Sequence, residues 1–450
     1  MPGAMPGRVK FSLLLGFCAA LLAVLLVAAF VLQPPWSWSI GLVYIGYDTW
    51  LLGYMVLSSY RALRLPVGPA LPAPRPTLSV VIAARNERRD LPFALDAILA
   101  EDDQSDQILV VDDGSTDGTA EMLRQRYGDR VQVLAKENSG KARSLNQALA
   151  MVKSDVFVTI DADTVIEKGS LGAIRAAFAN EPELVAGCGV LKPVCSRAPL
   201  GRAFELYQTF EYLRGFLWRV SWSRSNTLVL VSGAFAAFRR ERLAEVGGFD
   251  PRSLVEDYEV MFRLHRRSYE DRGEPLRARV IAGARATTDS PGKLRLFLRQ
   301  RTRWFAGYIE TMFRSADMVF DKKYGRLGSF HLPIKTADML LPVYGFCAVL
   351  ALIVQIAIGS RPAGIVLYAI IFKLVYDLSC HFISVFVNAR WLGRKVTPAF
   401  AVRAIFATLT EPIGFQFIRQ LGALLGWIAF LRGRIEWHPQ RRHAMPGKPV

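Results

Sequence analysis

The chain has 450 residues, a net charge of +17 and a hydrophobic fraction of 52%. A soluble domain runs to about 100–200 residues, so there is room for one large domain and further elements. The apolar excess gathers at the two ends, which excludes a single oversized soluble core and points to membrane spans. Cytosolic loops, anionic headgroups and an anionic small ligand all account for the positive balance. No basic nucleic-acid motif accompanies it, so no nucleic-acid partner is expected.

The first apolar run, residues 11–32, carries no charge. It is long enough to cross the roughly 30 Å hydrocarbon layer as a helix. Arg8 and Lys10 precede it, as they would a cleaved leader, but leader cores are about 7–15 residues. This run is longer and continues through Pro34-Pro35 into a second apolar stretch, 36–57. Asp48 within that stretch is costly in lipid and is expected to face other helices. Arg8 and Lys10 flank one end of the pair, Arg61 and Arg64 the other. The positive-inside rule then places both ends in the cytosol and the tip 33–36 outside. A Pro-rich linker follows at 67–77, with Pro69, Pro72, Pro74 and Pro76 in it, and helix cannot run through it.

From Leu78 short apolar runs alternate with helical periodicity. Strands are expected at 78–84, 108–111, 131–134 and 156–160, and helices at 91–100, 119–127 and 142–152. This alternation predicts an α/β fold with a mainly parallel sheet covered on both faces. Ligands of such sheets bind beyond the carboxyl ends of the strands. Polar clusters stand at those ends: Asn86-Glu87, Asp112-Asp113 and Asp161-Ala162-Asp163. The five cysteines show no zinc spacing, and a cytosolic domain is not expected to carry a disulfide framework.

From about Phe204 the sequence reads as aromatic and helical. The stretch 293–318 is amphipathic and basic, with Trp304, Phe305 and Tyr308. It suits a helix at a membrane interface or a buried helix of the soluble domain, and both readings stand. Two more candidate spans lie at 340–358 and 365–387, the second with Lys373, Asp377 and His381. The basic loop 388–395 is expected to be cytosolic. Residues 399–431 are long for one span, short for two, and interrupted by Pro412 and Gly414. They suit an interfacial segment plus one span, or a re-entrant hairpin. The basic tail 432–442 argues for a cytosolic end. The expected organisation is two N-terminal transmembrane helices (1–66), the linker (67–77), a cytosolic domain (78–320), C-terminal transmembrane and interfacial helices (321–431) and the tail (432–450).

Three acidic sites have chemical uses. Alternate residues of a strand share a face, so Asp161 and Asp163 can point the same way at its end. Mg²⁺ or Mn²⁺ commonly takes one or two carboxylates plus substrate phosphates. Asp112-Asp113-Gly114-Ser115 fits a turn and helix cap, or a carboxylate accepting from a base N–H. Gly140-Lys141 before a helix offers backbone N–H groups and a cation to phosphate. Glu256-Asp257 fits a helix start, or a general base for an acceptor hydroxyl.

The ordered set says more than any piece. Val80 to Glu87, Val110 to Asp117, Gly140-Lys141-Ala142, Asp161-Ala162-Asp163, Ser232-Gly233-Ala234-Phe235, Gly247-Gly248-Phe249, Glu256-Asp257 and Gln300-Arg301-Thr302-Arg303-Trp304 occur in that order. Over about 78–320 the chain resembles the family 2 inverting glycosyltransferases, in the membrane-integrated branch of chitin, hyaluronan, poly-N-acetylglucosamine and cellulose synthases.

That resemblance implies a glycosyltransferase A-type nucleotide-sugar-binding domain flanked by transmembrane helices, multi-pass in the plasma membrane, with its catalytic domain cytosolic. It implies a UDP-sugar donor, a glycan or lipid-linked acceptor, and Mg²⁺ or Mn²⁺. Asp113, with Asp112, would hold the uracil ring. Glu87 and Lys141 would contact the nucleotide, and Asp161 the ribose or sugar. Asp163 would bind the metal, and Asp257 would deprotonate the acceptor hydroxyl. Arg303 would hold the diphosphate, while Trp304, with Gln300 and Glu256, would meet the acceptor. Two departures from the family pattern are Ala83 for a common proline and Arg85 for a common tyrosine. Ser232-Gly-Ala-Phe is only similar to the acceptor-site pattern. Polysaccharide synthesis is the first reading, and single transfer to a lipid acceptor is the alternative. Asp48, Lys373 and Asp377 would also serve a transport pathway, against which the few spans and the large α/β domain argue.

Overall fold

The computed structural model describes residues 5–32, 36–62, 75–359, 364–391 and 395–433. The tip at 33–35, Arg64, the linker as far as 74, loop positions 392–394 and the tail beyond 433 lie outside the described residues, as does the side chain of Arg61. The chain forms two compact units. One takes the described residues up to 62 and from 294 onward, and the other takes those from 75 to 293.

The first unit opens with α1 (Gly7–Val31) and α2 (Ser39–Ala62). The second unit is an eight-stranded sheet with its helices. Its elements in chain order are β1 (Leu78–Ala84), α3 (Leu91–Leu99), β2 (Gln107–Asp113), α4 (Thr119–Tyr127), β3 (Gln132–Lys136), α5 (Lys141–Met151), β4 (Val156–Ile160) and β5 (Thr164–Ile166). Then come α6 (Ser170–Asn180), β6 (Leu184–Val194), α7 (Pro199–Arg224), β7 (Phe235–Arg239), α8 (Arg240–Glu245), α9 (Glu256–Arg272) and β8 (Arg277–Asp289). The first four strands fall where hydrophobic patterning puts them.

The strand order is β3-β2-β1-β4-β7-β6-β8-β5. β1 pairs in parallel with β2 and β4, β2 with β3, and β6 with β8. β7 runs antiparallel to β4 and β6, and β5 antiparallel to β8. The sheet is therefore mixed and mostly parallel. The chain winds from β1 through β2 to β3 and then crosses back to set β4 on the other side of β1, a switch in direction that opens a crevice at the strands' carboxyl ends. Central β1 is buried on both faces, which is why it reads as an unbroken apolar run. Leu78, Val80 and Ile82 share a core cluster with Leu95 of α3, Leu123 of α4 and Ile174 of α6.

The helical reading beyond Phe204 needs correction. α7 and α9 are there, but β7 and β8 lie among them, and β6 precedes them. β8 is rich in Ala and Arg, which have weak strand preference, so it has little local signal. Its long parallel pairing with β6 makes it a strand. β6 carries Gly187, where a Cβ would meet Ile281 at 2.5 Å, a close approach that also dilutes the apolar pattern.

Several buried polar side chains in this unit find partners. Arg175, 1% exposed, meets Asp106 at 2.8 Å and Asp103 at 3.2 Å beside the start of β1. His265 of α9 is fully buried, with Nε2 donating to the Leu228 carbonyl at 2.9 Å. Burial pushes its pKa down to about 4, against the weaker pull of that hydrogen bond.

The first unit resumes with α10 (Leu294–Arg314), α11 (Leu332–Asp338), α12 (Leu341–Ala357), α13 (Gly364–Trp391), α14 (Pro398–Thr410) and α15 (Phe415–Leu431). Among the described residues four helical stretches are long and apolar enough to cross a membrane: Gly7–Val31, Trp36–Tyr60, Leu327–Ala357 and Val366–Arg390. Around Pro412 and Gly414, α14 and α15 meet in a 52° bend. The basic amphipathic helix is α10, and it packs on α15. Phe297 meets Phe415 at 5.1 Å and Phe313 meets Phe430 at 5.2 Å. A Cβ on Gly422 would stand 2.7 Å from Cβ of Arg301, and one on Gly426 2.8 Å from Cβ of Phe305. Small residues one turn apart let the two backbones approach. Asp48 faces other helices as expected: its carboxylate lies 2.8 Å from Nζ of Lys373, which also pairs with Asp377.

Two outcomes follow. Between the ordinary histidine pKa of 6.5 and about 4, the unfolded chain binds a proton at His265 that the folded chain refuses. Stability should therefore be unaffected above pH 6.5 and fall through that window, by about 3 kcal/mol in total, with His265→Asn losing this slope in pH-dependent unfolding followed by fluorescence. Gly426→Leu should separate α15 from α10 at a cost of about 1–3 kcal/mol, read as a lower unfolding temperature in detergent, whereas Gly16→Leu, on an exposed face of α1 where a Cβ would meet nothing, controls for leucine itself.

Candidate active site

The sequence-predicted groups of the sheet unit collect at the carboxyl ends of β1, β2 and β4. Asn86 takes a left-handed backbone (φ 58°) just after β1. Its Oδ1 accepts from the Thr116 N–H at 2.8 Å, and its own N–H donates to Oγ of Ser115 at 2.9 Å. This exchange ties the β1 end to the loop after β2. Glu87 follows, half-buried, with its N–H donating to Oγ1 of Thr119 at 3.2 Å.

Asp112 and Asp113 end β2, and both are buried. Asp113 accepts three hydrogen bonds. Its Oδ1 accepts from Lys136 Nζ and from the Ser139 N–H at 2.8 Å, and its Oδ2 from the Gly140 N–H at 2.8 Å. Burial alone would raise this carboxyl, but Lys136 and the two amides outweigh it and hold it below the usual range. Asp112 uses Oδ1 alone, accepting from the N–H and Oγ of Ser115. Among the described residues its Oδ2 has no hydrogen-bond partner. Asp117 takes the bland role of a turn residue, accepting from the Thr119 N–H at 3.1 Å.

The centre of the site is Lys141, the first residue of α5. Its ammonium lies 2.7 Å from Oδ1 of Asp161 and 3.2 Å from Oε1 of Glu256. The three side chains are 15–32% exposed, so a ligand can reach them. Burial opposes the charge on Lys141, but Asp161 and Glu256, with Asp257 behind them, outweigh it and raise its pKa above that of an ordinary lysine. Asp257 is tied to the same place through the loop before β7. Its Oδ2 accepts from the Gly233 N–H at 2.7 Å, while the next carbonyl, of Ala234, accepts from the Asp161 N–H at 3.2 Å. A Cβ on Gly233 would stand 3.1 Å from that Asp257 oxygen, so the Ser232-Gly233-Ala234-Phe235 motif needs its glycine for close packing.

Asp163 is 8% exposed, and Asp161 is bonded through Oδ1 only. Among the described residues no three His, Cys, Asp or Glu side chains form a ready metal cage. A divalent cation held by one or two carboxylates and completed by diphosphate oxygens and water needs none, and the open Oδ2 of Asp161 beside Asp163 fits that donor set.

Gln300, Arg303 and Trp304 lie on α10 of the helical unit. There the Arg301 guanidinium sits over the rings of Phe297 (4.6 Å) and Trp304 (4.5 Å), and Gln300 is buried. Sequence reasoning missed Lys136, and it quoted Gly233 within a motif without the contact that Gly233 makes. Lys136 had a signal, since parallel register of β2 with β3 sets it opposite Asp113. Gly233 had none, because its neighbour Asp257 comes from a distant helix.

A mostly parallel sheet with acidic strand ends around a helix-start lysine is a glycosyltransferase A-type fold. Residues 74–307, more than half of the chain, match the family described as Glycosyltransferase like family 2. The chain belongs to that family. It is 29% identical over 271 residues to a poly-beta-1,6-N-acetyl-D-glucosamine synthase of Staphylococcus aureus (strain COL), covering 59% of this chain and 62% of the relative. A synthase of the same name from Staphylococcus epidermidis is 29% identical over 241 residues, covering 53% and 56%. The chain thus spans less than two thirds of the length of these relatives. A mannosyltransferase from Pyrobaculum calidifontis, solved with GDP-Man and Mn²⁺, shares the fold with a TM-score of 0.56 at 20% identity, covering 88% of this chain and 100% of that one.

Asp113→Ala should strip the acceptor from Lys136 and from two backbone amides, costing about 3–5 kcal/mol. Hydrogen exchange should speed up at Ser139 and Gly140, and unchanged protection there would show that Asp113 does not hold the loop.

Proposed function

We propose that this chain is a membrane-embedded transferase that moves a sugar from a UDP-sugar to a glycan acceptor, with inversion, in polysaccharide synthesis. The observation that carries the reading is the Lys141 cluster. It joins a donor-side carboxylate, Asp161, to the start of the helix that bears Asp257. The four apolar helices of spanning length support the membrane location.

In this reading Asp113, with Asp112 beside it, holds the uracil ring, and Asp113 also shapes the loop before α5. Glu87 and Lys141 contact the nucleotide. Asp163, with Asp161 beside it, would hold Mg²⁺ or Mn²⁺, whose charge offsets that of the leaving diphosphate. Asp257 accepts the proton of the acceptor hydroxyl as that oxygen bonds to the anomeric carbon from the face opposite the diphosphate. The bond from that carbon to the diphosphate oxygen breaks in the same displacement, which inverts the centre. A carboxylate general base is worth about 10²–10⁴ in rate. Gln300, Arg303 and Trp304 keep the roles the resemblance gives them, toward acceptor and diphosphate. The names of the relatives make N-acetylglucosamine the first sugar to test.

Nucleotide release by the full chain in lipid nanodiscs, with a panel of UDP-sugars and GDP-mannose, tests this. Turnover of one UDP-sugar is expected, abolished by chelator and by Asp163→Ala. Asp257→Asn should lower kcat by about 10²–10⁴-fold while UDP still binds. A ladder of products supports polymer synthesis, and one added sugar on a lipid selects single transfer instead. Turnover of GDP-mannose alone, or full activity of both variants, would overturn the proposal.

A further inference from the structure

The Gly247-Gly248-Phe249 motif has no task in the chemistry above. It forms the tight turn after α8, where the Gly248 N–H donates to the Leu243 carbonyl at 2.9 Å. Two helices grip this turn. From α5, Asn146 makes a two-way amide bond to the Phe249 backbone. Its Nδ2 donates to the carbonyl at 2.7 Å, and its Oδ1 accepts from the N–H at 2.8 Å. From α9, Arg263 donates to the Val246 carbonyl and, at 2.8 Å, to the Gly248 carbonyl. Glu259 holds that guanidinium with two bonds, of 2.7 and 2.6 Å. Gly248 has φ 70°, and a Cβ on it would stand 2.3 Å from Oδ1 of Asn146.

These are the two helices whose first residues meet in the site. Lys141 begins α5, and Glu256-Asp257 begins α9. Asn146 is five residues beyond Lys141 and Arg263 six beyond Asp257, about 8–9 Å along each helix at 1.5 Å per residue. The turn therefore sets the spacing of α5 and α9 one to two helical turns behind the Lys141–Glu256 contact. An amide bonded at both ends and a forked guanidinium fix direction as well as distance, which a single bond or an apolar contact does not.

We propose that Asn146 and Arg263 are positioning residues, which clamp the Gly247-Gly248-Phe249 turn so that Asp257 and Glu256 stand correctly against Lys141. They touch no substrate. The effect on turnover rests on the transferase reading above, whereas the effect on α9 does not.

Asn146→Ala separates this role from general stability. Hydrogen exchange should rise at least tenfold over residues 256–262 of α9, while residues 107–113 of β2 stay protected. An error of about 1 Å at a reacting group costs on the order of 10² in rate, so kcat should fall to that degree. The Kd for UDP should stay within about threefold, because Lys141 keeps Asp161. A residue that only stabilises the fold would lower the unfolding temperature and leave kcat per UDP-binding molecule unchanged. Arg263→Lys, which reaches one carbonyl where arginine reaches two, should keep intermediate activity. Gly248→Ala should cost the native chain more than it adds to Asn146→Ala, where the clashing oxygen is gone and only the strain of the left-handed backbone (φ 70°) remains, and fully additive effects would contradict the clamp. If the native chain turns over no nucleotide sugar, the transferase reading fails and the exchange arm alone decides. Unchanged exchange at 256–262, or unchanged kcat in a folded, UDP-binding Asn146→Ala protein, overturns the proposal.

Discussion

Three carboxylates cannot crowd together in a partly dry crevice unless a cation stands among them, and in this protein the cation is Lys141. Asp161 and Glu256 touch it directly, and Asp257 adds its field from the next residue along. Without the ammonium, mutual repulsion would push one of these acids to take up a proton or move away. The surroundings serve that constraint. α5 must start at the sheet's carboxyl edge, α9 must start opposite it, and the loop before β7 must hold Asp161 and Asp257 by neighbouring peptide groups. An incoming diphosphate would add negative charge to the same volume, so the proposed divalent cation suits the electrostatics as well as the chemistry.

The neighbouring acidic pair solves a related problem differently. Asp112 and Asp113 are adjacent in sequence, yet the strand directs them to opposite faces. Asp113 joins β3 and the loop before α5. Asp112 closes its turn with one oxygen and keeps the other.

In the helical unit the governing cost is an unpaired polar group in an apolar setting. Tyr44 accepts from Gln416 and Gln420 at 2.6 and 3.2 Å, and the Tyr344 hydroxyl donates to the Cys18 carbonyl at 2.5 Å. Lys373 between Asp48 and Asp377 is the charged version of the same rule. These bonds and the close approach at Gly422 and Gly426 give the helices mutual positions that apolar surface alone would leave open.

The sequence by itself determined the first half of the sheet, the apolar helices and most of the acidic side chains of the site. β1 to β4 are short, apolar and bounded by turn chemistry, so local pattern suffices for them. It did not yield β6, β7 and β8, because their Ala, Arg and Gly residues become strands only through pairing with one another. Nor did it distinguish Asp112 from Asp113, or give Lys136, Gly233 and Asn146 a task. Those roles depend on contacts across 23 to 103 residues of chain. Residue type and spacing record which groups are available, but only the tertiary structure decides which of them meet, since the partners are chosen by packing and not by sequence neighbours.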